Sequence, residues 1–322
     1  YHEYLALEEH ERLQEFKVAI SEPELMHCFK YVAMDIDDDE VIFILSKIRR
    51  SLHIALLHGV VLPETMEEAL SRVEALLQQA WLKRGYFPGL ARLTKQITGS
   101  KTCADKISDL LNHLRLNTPE DQNYAEALIE IMEDPRRFPQ FKSVHSALFD
   151  LKEHCQETHQ LSMAEFLQLA MINLTQRQCE RMVAGRANAE KNRKLSLNDF
   201  AKNPYLLYEE NDVHEPVNDE TTGEGIDFPI GIYKVDIAYY PNPDFLERID
   251  FQREFKVNDK RRLRALIMDH LRSLENIGHC FDQAPNIEKA LSNYPLFYRM
   301  GDEFQLPEGF LYSRDAEFDR HL

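Results

Sequence analysis

The sequence predicts a mainly α protein, with a helical N-terminal domain followed by a small α/β, winged-helix-like domain. Three observations predict it. Apolar residues recur at helical spacing, with short breaks, through the first 205 or so residues. An acidic stretch holding Pro and Gly then interrupts the pattern. Beyond it, an alternating run precedes two helix patterns and two short β-prone pieces. The boundaries follow: residues 1–208 a helical bundle or irregular helical array, 209–227 an acidic linker or loop, and 228–322 the winged-helix-like domain.

The first helix is expected over Asp38–His58. Val41, Ile44, Leu45, Ile48, Leu52 and Ala55 fall on one face, and Asp35-Ile36-Asp37-Asp38-Asp39-Glu40 places acids at its positive end. An EF-hand reading of these acids lacks the Gly and terminal Glu that a calcium loop needs, so they read as a helix cap. Pro63 begins a second helix that runs through Trp81-Leu82, and Arg84-Gly85-Tyr86-Phe87-Pro88-Gly89-Leu90 breaks it. Further helices are expected at 103–116, 119–133, 143–157 and 162–184. Thr118 reads as a cap with Pro119 at the first helical position. No repeat of fixed period appears, so nothing in the pattern argues for a solenoid.

Glu209–Asp227 holds eight acids and no Lys or Arg, with Pro216, Gly223 and Gly225. Such a segment buries too little apolar area to order itself, so an exposed, mobile linker is expected. Ile230–Tyr240 alternates in the manner of a strand. Helices at Lys260–Asn276 and Asn286–Asn293 follow, then β-prone pieces at Leu296–Tyr298 and Phe310–Tyr312. Two helices and a β ribbon is the order of a winged helix-turn-helix.

Composition narrows the function classes. A 43% hydrophobic and 10% aromatic content supports packed cores rather than disorder. The formal net charge of −17 argues against a nucleic-acid binder that uses its whole surface, while leaving room for a local basic groove. Cys28, Cys103, Cys155, Cys179 and Cys280 are dispersed without a CxxC pair, as expected of reduced thiols in a cytoplasmic protein. No apolar run is long enough to span a membrane, so no membrane partner is expected. The chain starts at Tyr1 and stops at Asp319-Arg320-His321-Leu322 without a terminating element, so a piece of a longer polypeptide is expected.

Several constellations invite a chemical reading, and none completes one. Gly99-Ser100-Lys101-Thr102 has Ser100 between Gly and Lys, and Thr94 where a phosphate loop carries its first Gly; a turn between helices is expected. Asp244 with Glu254-Phe255-Lys256 resembles the PD-(D/E)xK pattern, in which two carboxylates hold a metal near a Lys. Cys155 and His159 stand one helical turn apart, short of the four ligands of a structural zinc. No catalytic residue, cofactor or metal is therefore assigned to this chain, and it is expected neither to bind nor to hydrolyse ATP.

The cations cluster in two segments, Arg177–Lys194 and Arg253–Arg272. Cations at helical spacing can neutralise successive phosphates on one strand. Arg177, Arg181, Arg186, Lys191, Lys260, Arg261 and Arg264 are the candidate DNA-binding residues. Lys260, Arg261 and Arg264 fall on one helix face, while Leu263, Leu266, Ile267 and Leu271 are expected to face the core. The competing reading is pairing with the chain's own acids.

Three local patterns resemble accessory regions of RecD-like superfamily 1 DNA helicases, the last two of them within residues 170–295 or so, which the resemblance covers. They are Gly85-Tyr86-Phe87-Pro88-Gly89 ahead of a helix; Thr175-Gln176-Arg177-Gln178-Cys179-Glu180-Arg181 leading through Leu197-Asn198-Asp199-Phe200 to Asn203-Pro204-Tyr205-Leu206-Leu207; and Asp259-Lys260-Arg261-Arg262-Leu263-Arg264-Ala265-Leu266 ending in Gly278-His279. The resemblance implies a region that guides DNA, or docks a partner, for an ATP-dependent motor in cis or in trans, in DNA repair or anti-phage defence. ATP and Mg would belong to that motor, because the family's ATP site has no counterpart here. The alternatives are an acidic helical protein–protein scaffold and a metal-dependent nuclease built on Asp244, Glu254 and Lys256.

Overall fold

The computed structural model describes residues 17–18, 36–57, 63–119, 122–188, 193–209, 217–218, 226–227, 229–275, 278–279, 281–294, 305–307 and 309–312. The chain is mainly helical and divides into two compact units, Tyr1–Gly85 with Pro243–Leu246, and Tyr86–Asn242 with Glu247–Leu322.

The described part of the first unit is a helical hairpin, α1 (Asp38–Leu57) and α2 (Pro63–Arg84). Asp37 and Glu40 cap α1 reciprocally: the Glu40 amide donates to Asp37 Oδ1 at 2.9 Å and the Asp37 amide to Glu40 Oε2 at 3.0 Å. The acids thus cap a helix, as the missing EF-hand residues predict. Lys83 bonds Asp38 at 2.9 Å, Arg84 bonds Asp39 at 2.5 Å, and Arg49 bonds Glu74 at 3.1 Å. The start of α1 therefore lies against the end of α2, and the helices run antiparallel. Ile42, Phe43, Leu77, Ala80 and Trp81 form the seam. Pro243–Leu246 joins through Asp244, which accepts from both Arg49 Nη atoms at 3.1 Å.

The second unit opens with α3 (Leu90–Thr98) and α4 (Lys101–Asn117), separated by Gly99 at φ +65° and by Ser100, whose side chain accepts from the Cys103 amide. This is the expected turn. Gly89 sits against another backbone. Its amide donates to Ala170 O at 2.9 Å, and a Cβ there would lie 2.5 Å from Ile172 O. Tyr86 and Phe87 are buried beside it, which accounts for the Gly-Tyr-Phe-Pro-Gly motif.

Next come α5 (Tyr124–Glu133), 3-10 turns at Pro135–Arg137 and Pro139–Val144, and α6 (His145–Glu153) running into a π turn at His154–Thr158. α5 starts later than expected. Thr118 closes α4, its amide bonding Leu114 O, and Asn123 caps α5 instead. The single helix expected over 162–184 is two, α7 (Met163–Ala170) and α8 (Gln176–Ala184), each with its own capping box, Ser162/Glu165 and Thr175/Gln178. The Thr175/Gln178 box overrides apolar periodicity, because an N-cap needs a non-helical residue.

A short antiparallel ladder, β1 (Arg186–Asn188) with β2 (Arg193–Leu195), leads to α9 (Leu197–Lys202) and α10 (Leu206–Glu209). β3 (Val217–Asn218) pairs β4 (Ile226–Asp227), and the rest of the expected acidic linker lies outside the described residues, apart from Glu209, which is buried. The expected strand at Ile230–Tyr240 is a helix, α11 (Ile232–Tyr239), every residue of which is buried. The alternation misled because Lys234 and Asp236 are buried like their apolar neighbours, so no face is polar. α12 (Asp250–Arg253), α13 (Lys260–Glu275) and α14 (Ala284–Asn293) follow, and Phe310–Tyr312 is a 3-10 turn where a β piece is expected. Leu296–Tyr298 lies outside the described residues. Among the described residues after Asp227 there is no strand, so the expected β wing is not seen among them.

Candidate functional site

The basic run at the start of α13 splits by helical phase. Arg262 turns inward and is fully buried. Its Nε and Nη2 donate to the two Asp236 oxygens at 2.7 and 2.9 Å, and its Nη1 donates to Val257 O at 2.8 Å. The Tyr205 hydroxyl donates to Asp236 Oδ1 at 2.8 Å, and the Tyr240 ring lies 4.0 Å from the guanidinium. Burial works against the Arg262 charge, but Asp236 outweighs it and holds the guanidinium firmly protonated. Burial pushes the Tyr205 phenol well above its usual range. Two buried charges survive here because each meets several partners. The cluster fixes the rotation of α13, and that rotation sends Lys260, Arg261 and Arg264 to the other side.

Those three side chains line a cavity of about 380 Å³ with Asn203 and Asp259. Lys260 is exposed. Arg261 is held flat: it bonds both Asp259 oxygens at 2.9 and 2.7 Å, donates to Lys202 O at 2.5 Å, and stacks 4.4 Å from the Phe255 ring. Burial opposes the Asp259 charge, but the bonds from Arg261 hold its carboxyl below the usual range, and Asp259 in turn raises the Arg261 guanidinium. Arg264 Nη2 lies 3.2 Å from Glu209 Oε2, a fully buried carboxylate. Arg272 donates to Glu209 O at 2.9 Å and stacks on Tyr208. Asn203 enters from the end of α9, where its amide closes the helix on Asp199 O and its side chain accepts from the Tyr205 amide. The Asn203-Pro204-Tyr205 motif thereby supplies a cavity wall and an anchor for Asp236.

Among the described residues, none of the first basic segment lines this cavity. Arg177 and Arg181 lie half-buried on α8. Arg186 belongs to β1 with its side chain outside the described residues, as is Lys191. The remaining constellations are also placed. Asp244 belongs to the first unit and bonds Arg49, whereas Glu254 and Lys256 belong to the second. Phe245–Arg248 is not helical. Cys155 is buried in the π turn, where burial pushes its thiol up to about 12, and burial lowers His159. Among the described residues no group of three or more His, Cys, Asp or Glu could hold a metal ion, and no helix is long and apolar enough to cross a membrane. Cys28 and Cys280 lie outside the described residues.

Sequence reasoning missed Asn203, Tyr205 and Asp236 as partners of the basic run. A signal existed. An Asp inside the run Ile230–Tyr240 needs a buried cation, and Lys260–Arg264 is a rich source farther along the chain. Among known proteins, no family model, no curated protein and no solved structure matches the chain.

Proposed function

We propose that this chain is an accessory region of an ATP-dependent DNA helicase, which guides DNA or docks a partner for a motor in cis or in trans, and that the α13 cavity takes a phosphate of the DNA backbone. The observation that carries the reading is the convergence of Lys260, Arg261 and Arg264 with Asn203 on one open cavity of an acidic chain. Pre-positioned guanidiniums and an ammonium suit a phosphate, and the amide can donate to it without adding charge. The resemblance of the three motifs to RecD-like helicases supports the setting, with ATP and Mg confined to the motor.

Removing Lys260 and Arg261 together tests it. Arg264→Ala would strand the buried Glu209 carboxylate and confound folding with binding, so Arg264 is better left in place. Lys260→Ala with Arg261→Ala is expected to weaken duplex binding alike for all sequences and to lower the salt slope by about 0.9 per lost phosphate contact. An unchanged affinity and slope sinks the proposal.

A second reading, a protein–protein scaffold without a nucleic-acid role, draws on the same geometry. Asp259 and Glu209 already pair Arg261 and Arg264, so these cations also serve the fold. An unaltered salt slope in the double variant would favour it.

A further inference from the structure

A different surface, at residues 136–152, takes no part in the α13 cavity. α6 buries Ala147, Leu148 and Leu151 and leaves His145, Phe149 and Lys152, at i, i+4 and i+7, along its outer side. Phe149 is 38% exposed, unusual for a ring of its size. The Arg136 guanidinium lies 5.3 Å from its centroid, and the His145 ring meets it edge-on at 6.3 Å. The preceding 3-10 turns leave Arg136, Arg137 and Lys142 exposed and Phe141 half-exposed. Phe141 meets His113 edge-on at 5.7 Å. His145 is held in place by Phe138 O at 3.1 Å, and Lys152 by Glu133 O at 2.9 Å.

Some exposed cations of the described surface pair with acids, as in Lys83–Asp38 and Arg253–Asp250. Among the described residues neither Arg137 nor Lys142 forms an ion pair. Of the nearby acids, Asp150 lies 3.4 Å from His154, and Glu133 and Asp134 precede the turns. Cations without acidic partners, interleaved with partly exposed rings, are what a strand of alternating phosphates and flat bases requires. A duplex offers its phosphates but hides its base faces, so it would use the cations and not Phe149.

We propose that this surface is a stacking platform for single-stranded nucleic acid, with Phe149 under a base and Arg137 and Lys142 on the flanking phosphates. It rests on residues separate from the α13 cavity, so either reading can fail alone.

The test is fluorescence anisotropy of the full chain with a labelled oligothymidylate of about 15 nucleotides, within the usual site sizes, and with a blunt duplex. Phe149→Ala is expected to weaken the oligothymidylate by about five- to 150-fold, the range for losing one stacked base, with little effect on the duplex. Phe149→Trp should restore binding. Arg137→Gln with Lys142→Gln should lower the single-strand salt slope by about 0.7 per lost contact. An oligouridylate arm tells RNA from DNA as the preferred strand. The proposal is overturned if the parent binds neither single strand, or if Phe149→Ala, with its unfolding midpoint unchanged, binds like the parent. Equal losses on single strand and duplex overturn it too, as does binding of an acidic peptide without any oligonucleotide.

Discussion

Among the described residues each unit hides one arginine–aspartate pair, and the two pairs do different work. In the first unit Arg84 meets Asp39 through one 2.5 Å bond, with both side chains at most 1% exposed, and a second guanidinium nitrogen bonds Gly85 O at 3.0 Å. That pair ties the start of α1 to the end of α2. In the second unit Arg262 meets Asp236 through two bonds, and Tyr205 adds a third to the same carboxylate. That pair ties α11, α13 and the segment entering α10 together, and it sets which cations of α13 reach the surface. The first pair closes a local hairpin. The second orders a site.

Asp236→Ala should therefore have the largest effect. It strands a buried guanidinium, at about 3–5 kcal/mol, and leaves the Tyr205 hydroxyl without its acceptor, at about 1–3 kcal/mol. Against a typical domain stability of about 5–15 kcal/mol, little remains. Urea unfolding should show the loss, and Asp236→Leu with Arg262→Met should recover much of it, since an apolar pair of similar volume avoids the desolvation cost. A single variant as stable as the parent would mean that the cluster does not organise α13.

Asp39→Ala should cost about 3 kcal/mol, with faster amide exchange at the ends of α1 and α2. Phosphate-dependent binding at Lys260 and Arg261 should persist in it and be lost in Asp236→Ala. Equal damage to binding in both would erase the distinction between the pairs. Gly89→Ala comes next, at about 1–3 kcal/mol. Its Cβ would lie 2.5 and 3.0 Å from two carbonyl oxygens, and backbone cannot step aside as a side chain can. It probes whether the second unit also depends on a backbone contact, and a thermal midpoint like the parent's would show that it does not.

The comparison also explains which parts of the molecule were legible in the sequence. The helices α1 and α2 were, because first-turn acids and the breaker at Gly85–Gly89 are local signals, but the buried seam of α1 uses Ile42 and Phe43 in place of the expected Val41, Ile44, Leu45, Ile48 and Leu52, which are only half-buried. So was the phase of α13, where Lys260, Arg261 and Arg264 share a face. The α11 segment was not. Its buried Lys234 and Asp236 mimic alternation, and only partners some 26 positions away, such as Arg262, make a buried helix affordable there. The start of α5 was misplaced for a subtler reason: Thr118-Pro119 has the chemistry of a helix start, but Thr118 is already used to close α4. Long-range pairing decides the α11 case, and no window of neighbouring residues contains it; the α5 case turns on which of two adjacent helices Thr118 serves.

A carboxylate–imidazole pair extends the comparison toward solvent and carries the smallest effect. His270 on α13 and Asp282 before α14 are partly exposed and 2.8 Å apart. Asp282 also accepts from Asn286 Nδ2 at 2.7 Å and from the Gln283 amide at 2.8 Å, so it joins α13 to the first turn of α14. The bond from His270, then that from Asn286, holds the Asp282 carboxyl below the usual range. The folded value lies below the unfolded one. The contribution is therefore complete above the ordinary carboxylate value of about 4 and is lost as pH falls through the depressed value. Thermal midpoints measured as pH falls from about 5, above the ordinary carboxylate range, should drop less steeply for Asp282→Asn than for the parent. Because the pair is partly exposed, high salt should narrow the gap between the two curves, whereas Asp39–Arg84 and Asp236–Arg262 should be insensitive to salt. Parallel acid limbs in parent and variant would show that the α13–α14 junction is held by apolar contacts such as Ile287 and Leu291 alone.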